Sequence, residues 1–321
     1  MVDERGSPRF GAYRGSLDRV DLNGLAGPAG RLARRKRWQW AVVSTPQVIA
    51  CFALVDAGYF ASGFAVAADL ATKRVVADVG SLGAKGVSVR VGERPAEGAR
   101  SRFTGRRMRA RVGREAGRWK LRLRSRRLSM DAELDAAVPP LTVISPVPGG
   151  GVNVTQKTSC LPASGSVEAG GRRYELAGGL GGLDYTHGLL SRRTSWRWAF
   201  GCGRTEDGRT VSFNLSEGFN ESEHKTENAV WIDGELVPVG RARFMFDPTA
   251  ILTPWQVTTE DGRVGLGFNP VGWHRENRNL LMARSRLSQL LGTFSGTIDG
   301  GDGPMGVSGM PGVAEDQDVV W

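Results

Sequence analysis

The chain has 321 residues, a formal net charge of +10 and 45 glycines. This length is typical of about two domains of ordinary size, and an apolar content of 40% excludes a largely disordered chain. Three scattered cysteines exclude a disulfide framework and favour a reducing, cytoplasmic location. We expect no signal peptide and no membrane span, because the most apolar stretch, residues 41–55, is short and interrupted by polar residues.

The positive charge raises the question of nucleic-acid binding. The excess is arginine, and much of it lies in residues 94–127. Within that region, basic and apolar residues alternate over 107–112 and 119–124, which predicts a hairpin with one buried and one solvated face. A basic face of this kind either binds phosphates or keeps the outside of a barrel soluble. The regular alternation favours the second role, so nucleic acid is not the favoured partner.

Short alternating segments separated by glycine turns predict an all-β fold. Strands at meander spacing are expected in the first part of the chain, at residues 38–43, 48–55, 59–67 and 74–78. Hairpin turns are expected in the second part at three Asp-Gly pairs, residues 207–208, 233–234 and 261–262. The pattern of residues 277–294 is compatible with either a helix within 277–291 or a closing strand over 286–294.

Proline and glycine divide the chain near its middle. Residues 138–151 contain four prolines followed by three glycines, which predicts a crossing between domains near residue 148. The first residues are polar and glycine-rich, and the last are rich in Gly, Asp and Pro, so both ends are expected to lie outside the cores. The predicted division is an N-terminal arm, a first β-barrel, a second β-barrel and a flexible tail, at residues 1–30, 31–148, 149–298 and 299–321.

One short sequence occurs in two similar copies. Lys-Arg-Trp-Gln-Trp-Ala at 36–41 resembles Thr-Ser-Trp-Arg-Trp-Ala at 194–199, and each copy opens a strand pair in its own half. The repetition favours two similar β-domains. A calycin-type barrel of about eight strands would suit each domain, and such a barrel either encloses one small apolar ligand or is filled by its own side chains.

The candidate site is centred on residues 181–200. Asp184 and His187 lie three residues apart in a glycine-rich segment, and Trp196 and Trp198 share one face of the next strand. On one interpretation Asp184 is a buried acid that donates a proton and His187 is its partner. On the other, Asp184 caps a turn and His187 is a structural histidine. Further candidates for ligand contact are aromatic residues, or polar residues beside apolar strands: Tyr185, Trp196, Trp198, Glu227, Trp231 and His274.

We expect no metal and no other cofactor. His187, His224 and His274 lack any short spacing typical of metal ligands. No phosphate-binding loop or nucleophile elbow stands in a suitable context. The glycine run that begins at Gly178 is not followed by a helical pattern, so it is interpreted as a loop or bulge.

Several motifs together resemble a known family. They are the Trp-rich first strand with Pro46, the segment Thr155-Gln-Lys, Asp184-Tyr-Thr-His-Gly, and Trp196-Arg-Trp-Ala. In this order they resemble the bacterial domain-of-unknown-function family 2804 (DUF2804), over about residues 15–298. That family is similar in outline to hydroxyneurosporene synthase and the AttH-like proteins.

The resemblance implies two lipocalin-like antiparallel β-barrels side by side, with little helix. Proteins of that architecture include carotenoid hydratases, tocopherol-type cyclases and pericyclase-like enzymes, which act on polyene or polyketide substrates without redox cofactors. It therefore implies a protein that binds a small hydrophobic, isoprenoid- or polyketide-like molecule and catalyses hydration, isomerisation or cyclisation by proton donation. A non-catalytic carrier or sensor is the main alternative, an RNA-binding sheet is a weaker one, and a homodimer remains open.

Overall fold

The computed structural model describes residues 8–84, 86–220, 226–280 and 283–321. Antiparallel strands dominate it and form two sheets, one nearly closed into a barrel and one a half-barrel. The prediction of an all-β fold built from two barrel-like units is therefore confirmed. Within the described part of the chain, no helix is long and apolar enough to cross a membrane.

The first sheet contains fourteen strands in the described residues. They are β1 (Gly11–Arg14), β2 (Arg35–Ser44), β3 (Val48–Asp56), β4 (Ala61–Asp69), β5 (Arg74–Gly83), β6 (Val89–Arg90), β7 (Arg100–Thr104), β8 (Met108–Glu115), β9 (Arg118–Ser125), β10 (Leu128–Asp135), β11 (Leu141–Val147), β12 (Gly151–Ala169), β13 (Arg172–Glu175) and β14 (Gly179–Leu189). Their main order is β5-β4-β3-β2-β14-β12-β10-β9-β8-β7-β6. A single turn of 3-10 helix, Asn23–Leu25, and the short helix α1, Pro28–Arg34, precede β2.

The second sheet contains nine strands in the described residues. They are β15 (Arg193–Arg204), β16 (Thr210–Glu217), β17 (Ala229–Ile232), β18 (Glu235–Pro238), β19 (Ala242–Met245), β20 (Trp255–Thr259), β21 (Val264–Leu280), β22 (Ala283–Asp299) and β23 (Pro304–Val320). Their order is β18-β17-β16-β15-β23-β22-β21-β20-β19.

The local predictions of turns and faces are confirmed. Each Asp-Gly pair lies in a hairpin turn, and Asp233 and Gly234 both have positive φ angles, 50° and 86°, as a two-residue hairpin turn requires. Strands β8 and β9 pair as the predicted hairpin, with apolar side chains buried and basic ones exposed. The segment over 286–294 is part of a strand, β22, rather than a helix.

The predicted boundary near residue 148 does not coincide with the division between the sheets. Strand β12 pairs with β10, β11 and β14, so residues 151–189 still belong to the first sheet, and the chain crosses to the second sheet at 190–192. Pro148, Gly149 and Gly150 instead form a tight turn between β11 and β12, in which the two glycines have φ angles of 81° and 77°. A hairpin turn and an interdomain linker use the same residue types, which explains the difference.

The expected arm and the expected tail both contain strands within the described residues. In the expected arm, β1 pairs with β11 at an edge of the first sheet. In the expected tail, β23 lies between β15 and β22, and Val313 and Ala314 are fully buried. The turn itself occupies only residues 300–303, and a strand follows it in spite of the glycines and prolines that it contains.

The interiors of both sheets are filled with side chains. Phe52, Trp119 and Leu123 are among those that fill the first, and Phe213 and Phe294 are among those that fill the second. A third apolar cluster joins the two sheets to each other across β2–β4 and β15, β22 and β23. A cavity lies between the two sheets and is lined by side chains of both.

The glycine run near Gly178 belongs to this contact rather than to a loop. Residues from Gly179 onward form β14, where Gly182 faces the second sheet. A Cβ atom at Gly182 would lie 2.4 Å from Cζ of Phe200 and 2.9 Å from the carbonyl oxygen of Thr158. Only glycine permits the sheets to approach this closely.

Candidate functional site

A cavity of about 110 Å³ lies between the two sheets. Trp38, Trp40 and Phe64, on β2 and β4, form much of one wall, and Trp196 and Trp198, on β15, form much of the other. One buried water needs only roughly 10–15 Å³ measured in this way, so the cavity has room for part of a small organic molecule.

The two copies of the repeated Trp-x-Trp motif face each other across this cavity. The rings of Trp38 and Trp196 stack with centroids 5.8 Å apart and an interplanar angle of 16°. Trp40 and Trp198 meet edge to face at 4.9 Å. Four indoles from two distant segments thus form an apolar, electron-rich lining.

On the first sheet, strand register places Lys157, Asp184 and Trp40 side by side across β12, β14 and β2. The Asp184 carboxylate accepts hydrogen bonds from Trp38 Nε1 at 3.0 Å and from Thr155 Oγ1 at 3.2 Å. Its Oδ1 also lies 2.9 Å from Lys157 Nζ. These three partners fix the position of the Asp184 carboxyl group in the wall of the cavity.

Lys157 is buried between two carboxylates. Its Nζ lies 2.9 Å from Asp184 and 3.7 Å from Glu227 Oε1. Burial by itself lowers the pKa of Lys157, but the two carboxylates outweigh it and raise that pKa above its ordinary value. Burial likewise raises the pKa of Glu227, whose Oε2 accepts a hydrogen bond from Asn220 at 2.8 Å.

On the second sheet, register places Trp198, Glu315 and Gln289 side by side across β15, β23 and β22. Glu315 accepts hydrogen bonds from Trp196 Nε1 at 2.7 Å and from Gln289 Nε2 at 2.5 Å. Burial nevertheless raises the pKa of Glu315 to about 7. The cavity therefore contains a carboxyl group that is partly protonated near neutral pH.

Four of the residues predicted from the sequence line the cavity. These are Asp184, Trp196, Trp198 and Glu227.

The predicted pairing of Asp184 with His187 is wrong. Neighbouring side chains alternate along β14, so residues three apart point to opposite faces. Tyr185, which shares a face with His187, lies in the core of the first sheet and donates a hydrogen bond to the Gly92 carbonyl at 3.0 Å. Burial and the nearby charge of Arg37 lower the pKa of His187 to about 3, and neither ring nitrogen has a hydrogen-bond partner among the described residues.

Trp231 also lies outside the cavity. It packs in a separate cluster with Leu141 and Cys160, and its Nε1 donates to the Pro139 carbonyl at 3.1 Å. It is therefore part of the packing between sheets rather than of the ligand site.

His274 lies beside the cavity rather than in it. Its ring stacks on Phe64 at 4.4 Å, and its Nδ1 lies 2.5 Å from Asp78 Oδ1. Burial by itself lowers the pKa of His274, but hydrogen bonds and charges of Asp78 and Glu276 raise it to about 9. His274 is thus a buried cation that joins β21 to β5.

In the described ranges, no group of three or more His, Cys, Asp or Glu side chains is arranged to hold a metal ion. His224 lies outside the described residues.

The sequence matches the family Domain of unknown function (DUF2804) over residues 1–321. The chain belongs to this family. The resemblance drawn from the sequence motifs is thereby confirmed.

Solved structures show the same fold as this DUF2804 chain. CghA with Sch210972 is similar over 98% of each chain, with a TM-score of 0.55 and 10% identity. Kievitone hydratase from Nectria haematococca is similar over 97% of this chain and 98% of its own, with a TM-score of 0.51 and 12% identity. An AttH-like protein from Nitrosomonas europaea is similar over 94% of this chain and 98% of its own, with a TM-score of 0.50 and 12% identity. No curated protein matches the sequence.

The sequence did not single out several residues of the site in this DUF2804 chain. The repeated motif contained a signal for Trp38 and Trp40, and the Thr155-Gln-Lys segment contained one for Lys157. Glu315 carried no signal, because it lies in a segment whose composition suggests a tail.

Proposed function

We propose that this protein binds a small hydrophobic, isoprenoid- or polyketide-like molecule between its two sheets and catalyses cofactor-independent hydration, isomerisation or cyclisation by proton donation. The observation that carries this proposal is Glu315, a buried carboxyl group with a pKa of about 7 that contacts the indole of Trp196 in an aromatic cavity. The shared fold with a kievitone hydratase supports the same class of reaction.

The proposed reaction begins with transfer of a proton from Glu315 to one carbon of an alkene. A C–H bond forms with the π electrons, and the neighbouring carbon becomes cationic while Glu315 becomes a carboxylate. The indole faces of the cavity stabilise that cation by cation–π interaction. Loss of a proton from a neighbouring carbon to the Glu315 carboxylate gives an isomer. Attack by a second alkene forms a C–C bond and closes a ring, and the new cation then loses a proton to the same carboxylate. Attack by water, with transfer of the water's proton to Asp184, gives an alcohol.

Asp184 has a different role in this proposal from the one its sequence context suggests. Both of its oxygens accept hydrogen bonds and Oδ1 is also paired with Lys157, so Asp184 is not the proton donor of this proposal. As an anion in the wall, Asp184 instead stabilises positive charge on the substrate and accepts the proton released by an attacking water.

The first experiment is native mass spectrometry of the protein purified from its own host, with analysis of the extracted small molecules. We expect a co-purifying apolar molecule, which then serves as the substrate for a turnover assay. Glu315→Gln should lower turnover by about 10²–10⁴-fold and leave binding intact, because it removes the transferable proton but keeps the shape. Glu235→Gln, at an exposed position, is the control.

The outcomes separate the alternatives. Full turnover by Glu315→Gln would exclude Glu315 as the proton donor. Ligand binding without turnover in the wild type would identify a carrier or sensor. A protein that carries no ligand and binds none of a broad panel of apolar molecules would overturn the cavity as a ligand site.

A further inference from the structure

A second concave surface adjoins the cavity and is strongly basic. It is a groove of about 1190 Å³ between one end of the first sheet and β21 of the second. The groove contains two carboxylates, Asp78 and Glu276. Against these it presents six arginines: Arg106, Arg107, Arg126, Arg127, Arg275 and Arg278.

Strand topology concentrates four of these arginines in one place. Arg106 and Arg107 form the turn between β7 and β8, and Arg126 and Arg127 form the turn between β9 and β10. Strands β8 and β9 are paired, and their pairing ends at Met108 and Ser125, so the two turns lie next to each other. Like charges placed together in this way repel each other unless an anion binds there.

The protein does not neutralise this charge itself. Among the described residues, no carboxylate forms an ion pair with the exposed side chains of the four turn arginines. Asp78 is already hydrogen-bonded to His274, and Glu276 is already paired with Arg278. The groove therefore retains a large positive charge that is available to a ligand.

The groove adjoins the cavity. Glu276 and Arg278 line both spaces. Arg278 Nη2 is bonded to Glu276, whereas its Nη1 is buried and has no hydrogen-bond partner among the described residues. An unpaired buried guanidinium N–H is costly, so an anionic oxygen at this junction would be stabilised.

We propose that the groove binds the phosphate or diphosphate group of an amphipathic ligand whose apolar part occupies the cavity. The inference rests on the proposed function and narrows its substrate class to phosphorylated apolar molecules. One arginine guanidinium group can donate two parallel hydrogen bonds to the oxygens of a phosphate. A phosphate monoester also carries about two negative charges, so it can pair with several guanidinium groups of the groove at once. A carboxylate, with one charge, would leave most of them unneutralised.

The test compares octyl phosphate with octanol, using quenching of tryptophan fluorescence as the binding signal. Octanol has no phosphate, so its dissociation constant measures binding to the cavity alone. The dissociation constant of octanol divided by that of octyl phosphate measures the contribution of the groove. We expect octyl phosphate to bind at least about tenfold more tightly than octanol to the wild type, as charge-assisted hydrogen bonds predict. The double variant Arg126→Gln/Arg127→Gln should weaken octyl phosphate binding severalfold and leave octanol binding unchanged.

Arg109→Gln/Arg111→Gln is the matched control, because it removes the same charge from exposed positions on β8 outside the groove. It should keep the wild-type ratio. Equal binding of the two probes by the wild type, or an equal loss in both double variants, would overturn the groove while leaving the cavity in place. Failure of both probes to bind would overturn the cavity and this proposal together. A single-stranded oligonucleotide that binds through Arg126 and Arg127, with the two octyl probes binding equally, would assign the groove to nucleic acid instead.

Discussion

Trp38 and Trp196 stack across the junction of the two sheets, with ring centroids 5.8 Å apart. Each indole nitrogen donates to a different carboxyl group, Trp38 to Asp184 and Trp196 to Glu315. One aromatic contact therefore holds the sheets together and orients two acidic side chains of the cavity. The same two tryptophans therefore stabilise the contact between the sheets and position the acidic groups of the site.

The stacked pair should show measurable coupling. In a double-mutant cycle with Trp38→Ala and Trp196→Ala, we expect a coupling of about 0.5–1.5 kcal/mol in the free energy of unfolding, the usual range for aromatic pairs. Urea unfolding would measure it. The control cycle pairs Trp38→Ala with a substitution at Trp255, in the core of the second sheet, and should be additive. Additivity in both cycles would show that the stacking contributes nothing to stability.

Glu315 should make the folded protein less stable as the pH rises. Its pKa is about 7 in the folded state against an ordinary value of 4.5, so between these values the folded state binds more protons than the unfolded state. The free energy of unfolding should therefore fall through this window, by up to about 3 kcal/mol. Relative to Glu315→Gln, which cannot titrate, the wild type should lose stability from pH 4.5 to 7 in urea unfolding. Parallel curves for the two proteins would contradict the shifted pKa.

Lys157 should be essential to the buried charges around it. Lys157→Met leaves Asp184 and Glu227 without their shared cation. This change should lower the free energy of unfolding by about 3–5 kcal/mol at neutral pH. Part of that loss should be recovered at pH 5, where the uncompensated carboxylates can take up protons. Thermal unfolding at both pH values would measure this. The triple variant with Asp184→Asn and Glu227→Gln should be more stable at neutral pH than Lys157→Met alone, and the opposite order would argue against a buried ion cluster.

His274 should contribute stability that disappears in alkaline solution. Its folded-state pKa of about 9 exceeds the ordinary value of 6.5, so the contribution is complete below pH 6.5 and is lost as the pH rises through 9. We expect the free energy of unfolding of the wild type to exceed that of His274→Gln by up to about 3 kcal/mol at pH 6. The difference should become smaller by pH 10. Asp78→Asn removes the partner at 2.5 Å and should reproduce much of the effect. A gap that does not change with pH would show that His274 is not a charged link between the sheets.

The sequence by itself determined the all-β class, many of the strands with their buried faces, and the Asp-Gly turns, because alternation and turn chemistry act within a few residues. It also contained the repeated Trp-x-Trp motif that forms both walls of the cavity. It misplaced the division between the sheets, because proline and glycine mark a hairpin turn and a linker equally well.

Only the tertiary structure decided which groups meet. Asp184 and His187 are neighbours in sequence, yet strand alternation sends them to opposite faces; the glycines around them suggested a loop and concealed this. Glu315 becomes a candidate acid only because β23 is placed between β15 and β22, which buries it beside Trp196 and Gln289. Burial and partners of this kind depend on residues far apart in the chain, and local patterns hold no information about them.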